Sequence, residues 1–129
     1  MTVTYRIDSR ERIVQLIVTG VSPFEEWEAA LLRVLADPAY VRGFNFLTDR
    51  RLQSDVPGPD FPRMVLRFLV AHAPEMGRYR WAAVSPVEAT FLTLHMFSIL
   101  IEEVDIHVEA FTDYEEARRW LLSGAAARA

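Results

Sequence analysis

RWAAVSPVEATFLTLHMFSILI, residues 80 to 101, predicts a buried strand that turns directly into a helix. Trp81, Ala82, Ala83 and Val84 are an uninterrupted apolar run of strand length. Ser85 and Pro86 fit the N-cap and first position of a helix, and Glu88 completes an S-x-x-E capping box. A helix on one side of a sheet needs one apolar stripe and one polar face. From Ala89 to Ile101 only Thr90, Thr93, His95 and Ser98 interrupt the apolar residues, and they do not gather on one face.

Working outward, the chain before this stretch opens with alternating polar and apolar residues over 3–8 and 12–19, joined by Asp8, Ser9, Arg10 and Glu11, which reads as a β-hairpin. The second strand carries Ile13 and Ile17 on one face and Val14, Leu16 and Val18 on the other, the pattern of a central strand covered on both sides. Ser22, Pro23 and Glu25 form another capping box, followed by Phe24, Trp27, Leu31, Val34 and Leu35 at helical spacing until Asp37 and Pro38. Glu25, Glu26 and Glu28 crowd the start of that helix, where its dipole favours negative charge. A third strand is expected over 44–48, then a loop through Asp49, Arg50 and Arg51 to Pro59. Asp60 caps a second helix, with Phe61, Val65, Phe68, Leu69 and His72 on its stripe and Pro74 closing it.

The fourth strand is 79–84, followed by the apolar helix and a fifth strand over 105–111. Thr112 and Glu115 supply a third capping box for a last helix that ends near Leu122, with Gly124 as its C-cap. The order β-β-α-β-α-β-α-β-α predicts a single layered α/β domain over 1–124, mostly parallel, with a frayed tail over 125–129. Fifty-one per cent hydrophobic residues in 129 are enough to bury one core.

Composition removes several function classes. There is no cysteine, hence no disulfide, thiolate chemistry or cysteine-bound zinc. All fourteen basic residues are arginine, so neither a Schiff-base nor a phosphate-loop lysine exists here. The N-terminus lacks the apolar core of a signal peptide, and no run spans a bilayer; a cytoplasmic, soluble protein is expected. A net charge of −4 argues against a nucleic-acid binder. That charge is uneven, because residues 42 to 80 carry a net +3 and the remainder −7. Solvated surface accounts for the asymmetry, with a site for an anionic partner as the sharper alternative.

The closing residues Val108, Phe111, Thr112, Asp113, Glu115, Glu116, Ala117, Trp120 and Leu121, with Phe46, Leu47, Asp49 and Arg51 and with Trp81, Ala82, Val84 and Ser85, resemble the SpoIIAA-like or STAS-like domains, grouped with Sec14-type folds. The resemblance covers nearly the whole element order. It implies a non-enzymatic regulatory or protein-binding module, related in fold to anti-sigma-factor antagonists and to cytoplasmic domains of anion transporters. In the phosphorylated antagonists a D-S-x-G-like motif opens the helix after the third strand. Here that region reads Asp49 to Asp55 without the motif, and Ser54 is the nearest hydroxyl for phosphorylation.

The candidate chemistry is sparse. Ligands of open α/β sheets bind beyond the carboxyl ends of the strands, an edge expected to collect Asp49, Arg50, Arg51, Ser85 and Asp113. Arg50 and Arg51 are the candidate anion holders, against solvated loop arginines. Ser85 sits where a nucleophile elbow would, but G-x-S-x-G is absent and a capping role explains it. Asp49 with Asp113 is the one acid and base pair to weigh. Asp105, His107 and Glu109 share one strand face, which a wet edge strand explains as well as a metal; no metal or cofactor is expected. His72 and His95 have no partner at i+3 or i+4 that completes a ligand set and read as core-margin residues. Phe91, Leu94, Phe97 and Ile101 belong to a helix apolar all round. Three explanations remain open for it: cover by the second helix and the long loop, a homodimer interface, or a pocket for an acyl-type ligand.

Overall fold

The structure, a computed structural model, describes residues 2–54, 60–85 and 106–127, with side chains as far as Ser123. Its strands are β1 (Val3–Asp8), β2 (Ile13–Gly20), β3 (Asn45–Gln53), β4 (Tyr79–Val84) and β5 (Ile106–Phe111). Its helices are α1 (Phe24–Ala36), α2 (Phe61–Ala71), the single turn α3 (Ala73–Met76) and α4 (Tyr114–Ala127). The five strands form one sheet in sequential order; β1 is antiparallel to β2, and every later neighbour is parallel.

Strand alternation assigns each apolar residue to one of two layers. Val14, Leu16 and Val18 of β2, Phe46 of β3, Tyr79 and Trp81 of β4 and Val108 of β5 meet Trp27, Ala30, Leu31 and Val34 of α1 and Val65, Phe68 and Leu69 of α2. Aromatic rings fill the centre of that layer: Phe46 stacks on Trp81 at 4.5 Å, and Trp27 meets Phe68 edge-on at 5.3 Å. The indole Nε1 of Trp81 donates to Thr48 Oγ1 at 2.7 Å, so the one polar atom of the buried ring is satisfied. On the opposite face Ile13, Leu47, Ala82 and Val84 pack under Ala117 and Leu121 of α4.

Several boundaries differ from the expected ones. β3 runs to Gln53 rather than stopping at Thr48, because its pairing with β2 continues past an irregularity between Ile17 and Thr19 to Leu52 and Gln53. Asp49, Arg50 and Arg51 are therefore strand residues, and alternation separates them. The Ser22 capping box does not form: Pro23 is the N-cap of α1, and the Ser22 hydroxyl accepts from Thr2 Oγ1 at 3.3 Å. Asp60 does occupy the N-cap of α2, without a side-chain cap bond. Pro74 sits in the first turn of α3 instead of ending the helical region, which stops at Gly77 with φ 74°. Asp113 takes the cap role expected of Thr112, its Oδ1 accepting the Glu115 amide at 2.8 Å. α4 continues through Gly124 to Ala127. The apolar helix expected after Ser85, with Phe91, Leu94, His95, Phe97 and Ile101, lies outside the described residues.

Candidate functional site

The carboxyl end of β3 gathers the charged residues singled out in the sequence, and strand geometry decides what they can do together. Asp49 points to the α4 face and is 7% exposed. The Arg51 guanidinium binds it in a fork, Nε to Oδ1 at 2.9 Å and Nη2 to Oδ2 at 2.8 Å, while the Arg51 amide donates to Oδ1 at 3.0 Å. A two-residue spacing on one strand face makes this pair. The same guanidinium lies over the Tyr114 ring, 4.6 Å from its centroid. Tyr114 Oη in turn donates to Gln15 Oε1 at 3.1 Å, which also accepts Arg6 Nη2 at 3.0 Å. Burial by itself would raise the Asp49 pKa; the side-chain bond, amide bond and charge of Arg51 outweigh it and hold the carboxyl below its ordinary value.

Arg50 points the other way. It is 4% exposed, donates Nη1 to Gln53 Oε1 at 2.9 Å and lies 5.3 Å over the Phe61 ring. The sheet thus stands between the two arginines that the sequence offered as joint holders of an anion. Ser85 is 1% exposed, and its amide donates to Phe111 O at 2.9 Å, carrying the β4 to β5 ladder one residue further. Ser54 is exposed, and its amide donates to Gly20 O at 2.8 Å. It precedes α2 by several residues rather than opening it. Asp113 is bound into the α4 cap, and Arg51 lies in the field of both Asp49 and Asp113.

The histidines do not converge. His107 is beside Glu109, Nε2 to Oε1 at 3.4 Å, and its ring meets Trp120 edge-on at 5.3 Å. His72 pairs through Nδ1 with Glu75 at 2.9 Å against the Phe68 ring. Among the described residues, no three His, Asp or Glu side chains are placed to hold one metal ion.

Three contacts had no signal in the sequence because they join distant segments: Arg51 with Tyr114, Arg118 with Glu11, and Arg80 with Trp120. Arg118 Nη2 reaches Glu11 Oε2 at 2.6 Å across the sheet end. Arg80 lies 4.6 Å over the Trp120 ring and donates to the Trp120 carbonyl at 3.2 Å. Between Ile13, Gln15, Leu47 and Tyr114 there is a cavity of about 30 Å³, the size of a water molecule rather than of a substrate.

No protein-family model matches the chain, and no curated protein does. A solved structure from Shewanella loihica PV-4, an uncharacterized protein of the DUF3478 family with a SpoIIAA-like fold, superposes on 92% of this chain and 91% of its own, with a TM-score of 0.62 and 16% identity. The fold is SpoIIAA-like. At that identity the likeness concerns the SpoIIAA-like architecture alone: the mixed sheet with its antiparallel first pair, and the helices on both faces. No helix among the described residues is long and apolar enough to cross a membrane.

Proposed function

We propose that this SpoIIAA-like chain is a non-enzymatic module that acts by binding a protein partner, with a second copy of itself as the first partner to test. The observation that carries this reading is the state of the polar groups at the carboxyl edge. Asp49 is tied to Arg51, and Asp113 holds the amide of Glu115. A general base needs lone pairs aimed at substrate and a pKa near the working pH. Asp49 is driven the opposite way, well bonded and more acidic than an ordinary carboxylate.

The sequence supplies the second support. Phe91, Leu92, Leu94, Met96, Phe97, Ile99, Leu100 and Ile101 leave a helix no polar side, and a helix apolar on all sides needs partners on all sides. Native mass spectrometry at micromolar concentration tests the dimer directly. The expected species is twice the 14.8 kDa chain mass. Phe97→Asp is expected to shift it to the monomer by placing a charge where apolar area is buried. A parent that is monomeric throughout, with Phe97→Asp behaving identically, sinks the self-association. A co-purified small apolar or anionic mass, released on denaturation, favours the alternative of a ligand carrier or sensor.

A further inference from the structure

Arg50 and Arg51 stand on opposite faces of β3, yet another pair of arginines does line a common space. At the amino-terminal edge of the sheet, the β1 to β2 turn and the segment entering β3 border an open hollow of about 510 Å³, lined by Ser9, Arg12, Val41, Arg42, Gly43 and Phe44. Arg12 and Arg42 are both among its lining residues, and no Asp or Glu is.

The acids of the surrounding segments are engaged elsewhere. Asp8 Oδ1 accepts the amides of Arg10 and Glu11, Glu11 pairs with Arg118, Asp37 accepts the Tyr5 hydroxyl, and Glu75 pairs with His72. Among the described residues no salt bridge reaches Arg12 or Arg42. Arg42 is fixed against the end of α3: Nε donates to the Pro74 carbonyl at 2.9 Å, and the side chain packs over Gly77, where an added Cβ would lie 3.0 Å from Cγ and 3.3 Å from the guanidinium carbon. This anchoring leaves both terminal nitrogens for another acceptor.

Arg12 adds an independent observation. It stands at φ 59°, the only non-glycine among the described residues in the left-handed region. Glycine or asparagine adopts that conformation with less strain. The turn does not need the arginine side chain, because Asp8 ties it and the Arg12 carbonyl, a backbone group, accepts the Asn45 amide at 2.9 Å. What arginine adds at this position is a guanidinium at the hollow.

The geometry points to a binding site for a phosphate monoester carrying a small apolar group. Two planar forks and the Ser9 hydroxyl match a dianion with several acceptor oxygens. Val41, 55% exposed, provides the apolar contact, while Phe44 beneath it is 5% exposed and belongs to the core. This site lies at the opposite end of the sheet from Asp49, and the inference does not rest on the proposed partner binding.

Phenyl phosphate titrated into the isotope-labelled chain at constant ionic strength is the test. Saturable amide shifts are expected at Ser9, Arg12, Val41 and Gly43, with inorganic phosphate moving the same amides at lower affinity. Arg12→Gly is expected to weaken binding at least tenfold while melting at the same temperature as the parent or higher, since the backbone strain is relieved. Arg42→Ala is expected to weaken it similarly; should that variant fold poorly, Arg12→Gly decides the matter alone. A phosphoserine peptide that moves these amides more tightly than phenyl phosphate identifies the phosphate as one borne by a protein, and the reverse order identifies a free small molecule. Shifts that stay linear in concentration, that spread equally to Arg63 and Arg67, or that persist at parental affinity in Arg12→Gly overturn the site.

Discussion

Asp49 is held as a carboxylate by a single neighbour, and that makes its contribution measurable. Arg51 satisfies both carboxylate oxygens, but its own side chain is 47% exposed, so solvent screens much of the attraction. Asp49→Asn is expected to cost about 1–2 kcal/mol at neutral pH, the scale of a lost charge-assisted bond with a partly buried group left behind. The pH dependence follows from the direction of the shift. A carboxyl with a lowered folded-state pKa stabilises the fold at pH above its unfolded value, and that stabilisation disappears as pH falls through the lower, folded value. Urea unfolding of the parent should therefore weaken as pH drops below about 4, and the Asn variant should show a shallower decline over the same range. Equal slopes for the two proteins would mean that Arg51 does not bias this carboxyl.

At the scale of elements, β3 carries the lesson. Its second half, Asp49 to Gln53, reads as a polar loop because strand propensity and a two-residue apolar period both fade after Thr48. Tertiary partners supply what the local pattern lacks: Tyr114 and the paired Arg51 on one face, Phe61 and Gln53 with Arg50 on the other. Backbone pairing then continues to the end of β2, where the Ser54 amide still donates to Gly20. Deuterium exchange followed by mass spectrometry should find peptides over residues 49–53 as slow as those over β2, in contrast to the exposed hairpin turn. Rapid uptake over 49–53 would mark them as the loop that local propensity suggests. The helix caps show the same limit: Ser22 and Thr112 have the right chemistry, yet Pro23 and Asp113 take the positions. A neighbour one residue away or a strand alongside is enough to move a cap.

For the whole molecule, the two layers make separate demands on the core. Among the described residues the α1 and α2 side holds the larger set of aromatic rings, whereas the α4 side is centred on Leu47, Ala82, Val84, Ala117 and Leu121. Leu121 is fully buried there. Leu121→Ala is expected to cost about 2–5 kcal/mol through lost apolar contact and the cavity it leaves. Chemical denaturation checks this, and a loss under about 1 kcal/mol would show that α4 is a loosely attached cover rather than a second layer of the core.

The sequence by itself determined the order of the five strands, the hairpin, and which residues of β2 face which layer, because alternation is a local periodicity that a chain displays before it folds. It also excluded thiol and lysine chemistry outright, since those side chains are absent. Tertiary structure alone decided the grouping of the charged residues. Arg50 and Arg51 are adjacent in sequence and opposite in space, because neighbouring strand residues project to opposite faces. Arg12 and Arg42 are thirty positions apart and border one hollow, because a turn and a strand entry come together at the sheet's edge. Separation along the chain and separation in space are different quantities, and only packing relates them.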